Sequence, residues 1–511
     1  MTAAPRSLPA LLDHRAAADP GRTALICGHR TLTFGAWRER ADALAAGLRS
    51  RGLGPGARVV LRYGSGDWIA YAVAYCGVLR AGCVAVPLSD RQAPATAAHV
   101  LADSGATAVL HPPGAVLPSG LLPTGVWAAT AEETEEEETE EETEATGAAS
   151  SGTQAPAEPE PDPAALAQIL YTSGTTGRPK GVTATHGNLA HGCTLDERRR
   201  PLRHSRHFLH AFPVGTNAGQ TMLVNALDSA ATAVAAPQFT PGRFARLIEE
   251  YGVGSVFLVP AMAIELLGSE AARRYATDSV RLVGSTAAAL PGPVALGLAR
   301  AFPRAQVVNY YTSTEAAPAQ ITLLFDPDRP DSPGRPASVR DLRITAPDGT
   351  LLPPGEPGEV WLRTPAAPRA YLGEDAALSE AFQGRWVRMG DLGRLDEDGY
   401  LHLLDRERDV IKSGAHKVST LQVEDALHAH PAVADAAAFG VPHAVLGSVV
   451  AAVVVPRGEL TVPDLRTFLL DRLAAHELPA RLLFRPFLPR NEGGKILKRE
   501  LRQLLDDEAL R

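Results

Sequence analysis

Cysteine is scarce: four in 511 residues, Cys27, Cys76, Cys83 and Cys193, none in CxxC spacing. This excludes a zinc knuckle and a disulfide framework and suits a reducing compartment. Long apolar runs are missing too, and no segment approaches the roughly 20 residues that a membrane-spanning helix needs. The opening segment, MTAAPRSLPALLDHRAAADPGR, is broken by Asp13 and Arg15 before a signal-peptide core could form. The expectation is a cytoplasmic protein with no membrane span. A basic surplus is absent as well: the net charge of −8 offers no global field for nucleic acid, so no nucleic-acid partner is expected.

That acidic excess is local. From Glu132 to Glu144 the chain reads EETEEEETEEETE, with ten glutamates and no basic residue; the remainder is close to balanced. Glutamates at this density repel one another and bury nothing, which predicts a solvated, disordered insertion over about 131–163. It reads either as a tolerated loop or as a docking segment for a basic partner.

What the chain does have is a globular composition, 45% apolar and 21% charged, and enough length for two or three cores. Leu32 to Leu53 places Trp37, Ala41, Leu44, Ala45 and Leu48 at helical spacing. GARVVLRY reads as a strand, DWIAYAVAYCGVLRAG as a helix and CVAVPLS as a strand, an alternation that predicts a mostly parallel sheet with crossover helices. The stretch Glu359 to Leu378, EVWLRTPAAPRAYLGEDAAL, is broken by proline after one strand and predicts turn-rich β structure. After Asp405 the character changes again. VEDALHAHPAV and TVPDLRTFLLDRL read as helices, DAAAFGV and GSVVAAVVVP as strands, together a separate small α+β domain.

The strongest local signal is Tyr171 to Val182, YTSGTTGRPKGV, which follows the apolar strand ALAQILY. Backbone N–H groups around Gly174 and Gly177 can converge on an anion. The hydroxyls of Thr172, Ser173, Thr175 and Thr176 add donors, and Lys180 adds positive charge. A Walker P-loop is excluded, because Arg178 and Pro179 separate the second glycine from the lysine and Gly181 follows it.

This segment resembles the phosphate-binding loop of the acyl-adenylate-forming (AMP-binding) superfamily, which includes acyl-CoA synthetases, aryl-acid ligases and stand-alone adenylation enzymes. Further matches occur in family order over almost the whole chain: LRAGCVAVPLS (Leu79 to Ser89), NYYTSTE (Asn309 to Glu315), RMGD (Arg388 to Asp391), DRERDVIK (Asp405 to Lys412) and LPRNEGGKILKREL (Leu488 to Leu501). The resemblance implies an α/β fold: a large N-terminal AMP-binding domain of sheets and helices, 1–405, and a small mobile α+β C-terminal lid, 406–511.

It also implies roles. ATP and Mg²⁺ are the expected cofactors, with Glu315 the metal ligand, a hard carboxylate for a hard cation. Thr314 would bond the α-phosphate, Tyr311 would stack on adenine, and Asn309 would lie along the adenine edge. Asp391 would accept both ribose hydroxyls, and Arg406 would add a charged contact to ribose or phosphate. Lys495 would bridge the substrate carboxylate, a ribose oxygen and the α-phosphate, a task suited to a point charge on a flexible stem. Thr172, Ser173, Gly174, Thr175, Thr176, Gly177 and Lys180 would cradle phosphates. By contrast, Asp396 reads as a turn residue, and Lys498 and Arg499 as a solvated helix face. The chain departs from the family pattern at Thr312, Met389, Arg408 and Ala415, although Gly414 could supply the dihedrals lost at Ala415.

The acyl pocket is expected from Phe212 to Gln220, Val256 to Met262 and Gly284 to Leu290, with Thr216, Asn217, Ser285 and Thr312 as lining residues. Phe212 to Gln220 lacks the aspartate that amino-acid-activating relatives place there, which disfavours an α-amino acid, although a carboxylate from another segment could serve. Thr216 stands where many CoA synthetases carry histidine. Asn217 either reads a substrate hydroxyl or serves as a turn residue. The implied function is an ATP-dependent carboxylic acid:thiol ligase, with the acyl group passed to CoA or to a phosphopantetheinyl carrier protein. A stand-alone enzyme loading an amino or hydroxyaryl acid onto a carrier is the alternative, and a non-catalytic nucleotide- or acyl-binding protein the alternative of another class. No fused carrier domain is expected after Lys495.

Overall fold

The computed structural model describes residues 4–117, 122, 125–131, 160–172, 179–330, 332–336, 339–373, 380–406, 409–414 and 416–509. The acidic run Glu132 to Glu144, the loop residues Ser173, Gly174, Thr175, Thr176 and Gly177, and the variant positions Arg408 and Ala415 lie outside these. Gly414, which is described, has φ +57°, the conformation anticipated beside Ala415. The architecture is mixed α/β, with a large N-terminal region and a smaller C-terminal α+β domain. By contacts the chain divides into two units. The first comprises Met1–Phe239, Thr314–Ala319 and Thr364–Arg385, the second Thr240–Ser313, Gln320–Arg363 and Trp386–Arg511.

In the first unit, one sheet runs in spatial order Ala370–Tyr371, Lys180–Thr185, Leu166–Thr172, Val84–Ser89, Arg58–Tyr63, Ala108–His111, Trp127–Thr130. Its centre is parallel, and Val84–Ser89 is buried at every position, as expected of a strand covered on both faces. The helix predicted near Leu32 spans Phe34–Ser50, because the Thr33 hydroxyl caps it by accepting from the Ala36 N–H at 3.2 Å. It packs on Trp68–Arg80, a helix buried all round up to Arg80, with Leu44 seated over Gly77. A β-carbon at Gly77 would fall 2.7 Å from Leu44 Cδ2, so a larger residue there would push the two helices apart.

The second unit carries the parallel strands Ser255–Leu258, Leu282–Ser285 and Gln306–Tyr311, continued antiparallel by Ile321–Leu324. An antiparallel sheet follows, Leu342–Thr345, Gly358–Arg363, Trp386–Leu395 and Leu401–Arg406. In the C-terminal region the long hairpin Val433–His443 and Gly447–Pro456 is apolar on both faces, and alternation sorts the two sides. Ala436, Ala438, Val450, Ala452 and Val454 pack on the helices Thr420–His428 and Val462–Leu470 through Val423, Leu427, Leu465 and Leu469. Ala437, Phe439, Ala451 and Val453 instead pack on Leu488, Leu501 and Leu505.

Two expectations hold and one changes. The Pro-broken stretch after Arg363 yields only a two-residue strand, Ala370–Tyr371, paired with Val182 and Thr183. Lys498 is not solvated: its Nζ bonds Thr420 Oγ1 and Glu424 Oε1, each at 2.9 Å, because the helix Lys498–Ala509 packs against the hairpin. Asp396 is a turn residue as expected, accepting from the Tyr400 N–H at 2.8 Å and facing His402 Nε2 at 3.1 Å.

Candidate active site

Within the first unit, the strands Leu166–Thr172 and Lys180–Thr185 form a hairpin whose last described register pair is Thr172 with Lys180. The stem therefore delivers Thr172 and Lys180 to the two sides of the glycine-rich loop. Gly181 is required for packing, since a β-carbon there would lie 2.9 Å from Ile169 Cγ2 and 3.1 Å from the Tyr171 ring. Lys180 Nζ stands 4.7 Å over the Tyr371 ring, an arrangement in which ring quadrupole and cation attract.

Tyr371 in turn donates its hydroxyl to Glu315 Oε1 at 3.1 Å. Arg369, two residues earlier and 5% exposed, donates Nη1–H to the carbonyl of Thr314 at 3.0 Å. Its Nε is buried with no partner among the described residues. Burial lowers the Arg369 guanidinium to about 10, against the pull of Tyr75 and Glu315, which favour its charged form. Lys180, Tyr371, Glu315, Thr314 and Arg369 are thus one cluster. Arg369 and Tyr371 were absent from the sequence reading of the site. No sequence pattern marks them, because prolines interrupt the stretch that carries both.

Within the second unit, Tyr311 and Asp391 come together: the Tyr311 hydroxyl donates to Asp391 Oδ2 at 2.6 Å. Arg406 pairs in register with Asp391, and its Nε lies 3.4 Å from Asp391 Oδ1. Burial, then the Asp391 carboxylate, raise the Tyr311 phenol well above its ordinary value, so it stays a donor. Met389, in place of the family's threonine, is buried. Asn309 is buried and opposite Ser285 in the parallel ladder. Ser285 is fully buried with no partner for its hydroxyl among the described residues. Beside it, Gly284 is fixed by space, because a β-carbon would meet Tyr310 Cε2 at 2.6 Å and Phe257 Cδ1 at 2.9 Å. Thr312 is half-buried, its hydroxyl directed to the Ser313 carbonyl at 3.3 Å.

The other acyl-pocket candidates belong to the first unit. Thr216 caps the helix Asn217–Asp228, donating to the Pro213 carbonyl at 2.8 Å and accepting from the Gly219 N–H at 3.0 Å. Its proton is committed to the fold. Asn217, half-buried, opens that helix. Lys495, half-buried, follows a tight turn in the second unit, where Asn491 Oδ1 accepts from its backbone N–H at 2.9 Å.

Among the described residues no group of three or more His, Cys, Asp or Glu could hold a metal alone. Glu315 does fit Mg²⁺, a cation that takes one or two carboxylates and completes its shell with phosphate oxygens and water. No helix of the described residues is long and apolar enough to cross a membrane.

Residues 12–372 match the AMP-binding enzyme family and residues 422–495 the AMP-binding enzyme C-terminal domain. A feruloyl-CoA synthase from Amycolatopsis sp. is 32% identical over 508 residues, spanning 96% of this chain and 97% of that protein. A 2-succinylbenzoate–CoA ligase from Bacillus cereus is 33% identical over 343 residues, 66% of this chain and 70% of that one. Among solved structures, the o-succinylbenzoate CoA synthetase of Bacillus subtilis bound to its acyl-adenylate superposes with a TM-score of 0.79 at 26% identity, covering 96% of this chain and 97% of the other. That synthetase is also solved with ATP and a magnesium ion. A benzoate CoA ligase from Burkholderia xenovorans gives 0.81 at 25% identity over 97% and 99%. By sequence along its length and by fold, the chain belongs to the AMP-binding enzyme family, that of the AMP-forming acyl-CoA synthetases and aryl-acid–CoA ligases.

Proposed function

We propose that this enzyme activates a neutral-tailed aryl or arylpropenoic carboxylic acid with ATP and passes the acyl group to CoA. The supporting observation is the cluster in which one carboxylate, Glu315, accepts from Tyr371 and feels the buried Arg369, while Lys180 lies over the ring of the same tyrosine. A group so placed suits a magnesium triphosphate. A Mg²⁺ ion held by Glu315 would supply charge neutralisation on phosphate oxygens. Whole-length relatedness to a feruloyl-CoA synthase supports the aryl class and the CoA acceptor.

In the first half-reaction a carboxylate oxygen bonds the α-phosphorus and the bridging oxygen leaves with pyrophosphate. Two anions must meet, so the residues have to neutralise charge and hold an in-line approach. Lys180, Thr172 and the glycine-rich loop would hold the phosphates, with Thr314 at the α-phosphate. Tyr311 would lie on adenine beside Asn309. Asp391, oriented by Tyr311 and Arg406, would take the ribose hydroxyls. Lys495 would join the substrate carboxylate to the α-phosphate. In the second half-reaction the thiol loses its proton, sulfur bonds the acyl carbon, and the carbon–oxygen bond to AMP breaks. Residues 1–405 would form the AMP-binding domain and 406–511 a lid re-aimed between the half-reactions, in the cytoplasm.

The acyl-pocket segments contain no carboxylate from Phe212 to Gln220, Val256 to Met262 or Gly284 to Leu290. Burying an α-ammonium there would cost several kcal/mol, on the order of the penalty for an unpaired buried ion. An apolar ring instead gains about 25 cal/mol per Å² removed from water. The test is acid-dependent pyrophosphate exchange and CoA-thioester formation across hydroxycinnamic, benzoic, fatty and standard amino acids. Aryl acids should give both signals. Exchange confined to amino acids, or thioester formed only on a carrier protein, would overturn the reading.

A further inference from the structure

Lys495 sits at a hairpin-like turn whose geometry is set by the residues just before it. Arg490 and Ile496 face each other in a short antiparallel bridge, and the Asn491 N–H donates to the Lys495 carbonyl at 2.9 Å. The peptide unit entering Lys495 is held at both polar atoms. Its oxygen, the Gly494 carbonyl, accepts from Arg490 Nη1 at 2.7 Å. Its N–H, that of Lys495, donates to Asn491 Oδ1 at 2.9 Å. Rotation of that plane would re-aim the lysine stem, and both rotational handles are engaged. Gly494 has φ +80° and lies so close to the start of helix Pro260–Gly268 that a β-carbon would fall 2.7 Å from Val259 Cγ2.

Arg490 is itself anchored. Its Nη2 meets Asp435 Oδ2 at 2.6 Å, with the side chains 19% and 15% exposed. Asp435 follows a β-bulge between Val433 and Asp435, a device that re-aims a side chain out of the regular alternation. The Ala436 N–H fixes its Oδ1 at 2.9 Å, and His428 Nε2 stands 3.7 Å away, burial pushing its imidazole toward the neutral form against the pull of Asp435 and Glu424.

We infer that Arg490, anchored by Asp435, is a positioning residue that aims Lys495 for adenylate formation. The inference rests on Lys495 serving the first half-reaction. Arg490 acts through the Gly494–Lys495 peptide and touches no reacting atom. The arrangement is also amenable to mutation, because Arg490 and Asp435 line a cavity of about 630 Å³ with Glu265, Arg457 and Phe487. Truncating Arg490 enlarges an open space and leaves no hole in a packed core.

The experiment uses the full-length enzyme and measures two rates: pyrophosphate exchange, and thioester formation from supplied acyl-adenylate and CoA. Arg490→Ala and Asp435→Asn should each slow exchange by about 30- to 100-fold, as expected for a catalytic group misplaced by roughly 1 Å. Transfer from the supplied adenylate should stay within about twofold, because chain folding and the acyl site are intact. Adding Arg490→Ala to Lys495→Ala should slow exchange by less than about threefold further, since residues acting through one group are non-additive. Equal loss in both half-reactions, or full additivity with Lys495→Ala, would overturn the inference. So would normal exchange in both variants while Lys495→Ala is slow. Normal exchange in Lys495→Ala would instead bring down the lysine assignment, and the positioning role with it.

Discussion

At the scale of single residues, the proposed chemistry turns on Tyr371, which touches both Glu315 and Lys180. The Tyr371 hydroxyl bonds one carboxylate oxygen and the ring of the same tyrosine carries Lys180. One side chain therefore orients an acid and a base of the proposed phosphate site. Tyr371→Phe keeps the ring beneath Lys180 and removes only the bond to Glu315. A net hydrogen bond is worth about 0.5–1.5 kcal/mol, so the Mg²⁺ concentration for half-maximal exchange should rise by about 2- to 13-fold. The rate at saturating Mg²⁺ should change little. A magnesium titration superimposable on that of the unchanged enzyme would show that Tyr371 does not orient Glu315. This pair was not legible beforehand. The NYYTSTE segment announced Glu315, but its tyrosine partner lies 56 positions on, in a stretch whose prolines hid any periodicity.

At the scale of elements, caps and close approaches decide where the pocket segments begin. The helix Asn217–Asp228 starts where it does because Thr216 caps it and Gly219 lets its first turn close on Pro213. A β-carbon at Gly219 would stand 2.1 Å from the Pro213 carbonyl oxygen, a backbone atom that cannot swing aside. Gly219→Ala should therefore shift the helix start, lowering unfolding stability by about 1–3 kcal/mol, the usual cost of overpacking. Because Asn217 rides on the same turn, the KM for the acid should rise with it. A urea midpoint and an acid KM both unchanged would refute this account of the turn. The longer elements were readable from pattern alone: Phe34–Ser50 and Trp68–Arg80 fall within the spans that spacing predicted. Lys498 was misread for a comparable reason. Its charge suggested solvent, and only the packing of its helix on the hairpin turned it toward Thr420 and Glu424.

At the scale of the whole molecule, the net charge of −8 is carried by one run of thirteen residues, Glu132 to Glu144. A block of like charges buries no apolar area and adds nothing to a core. Deleting it should leave pyrophosphate exchange within about twofold, on the reasoning that surface insertions contribute little to the scaffold that positions a site. Loss of activity or of solubility on deletion would show that the run has a structural part.

Family and broad fold were determined by the sequence itself, and the charged candidates of the proposed site are read from the same motifs. Short ordered motifs such as YTSGTTGRPKGV and NYYTSTE carry their chemistry in residue type and local spacing, and strand and helix periodicity is likewise local. What the tertiary structure decided were the partnerships between distant positions: Tyr371 with Glu315, Arg369 with Thr314, Tyr311 with Asp391, Arg490 with Asp435. The physical reason is that a hydrogen bond has a range of about 3 Å and no memory of sequence separation. Which donor meets which acceptor is set by register, bulge and packing, and those emerge only when the chain is folded.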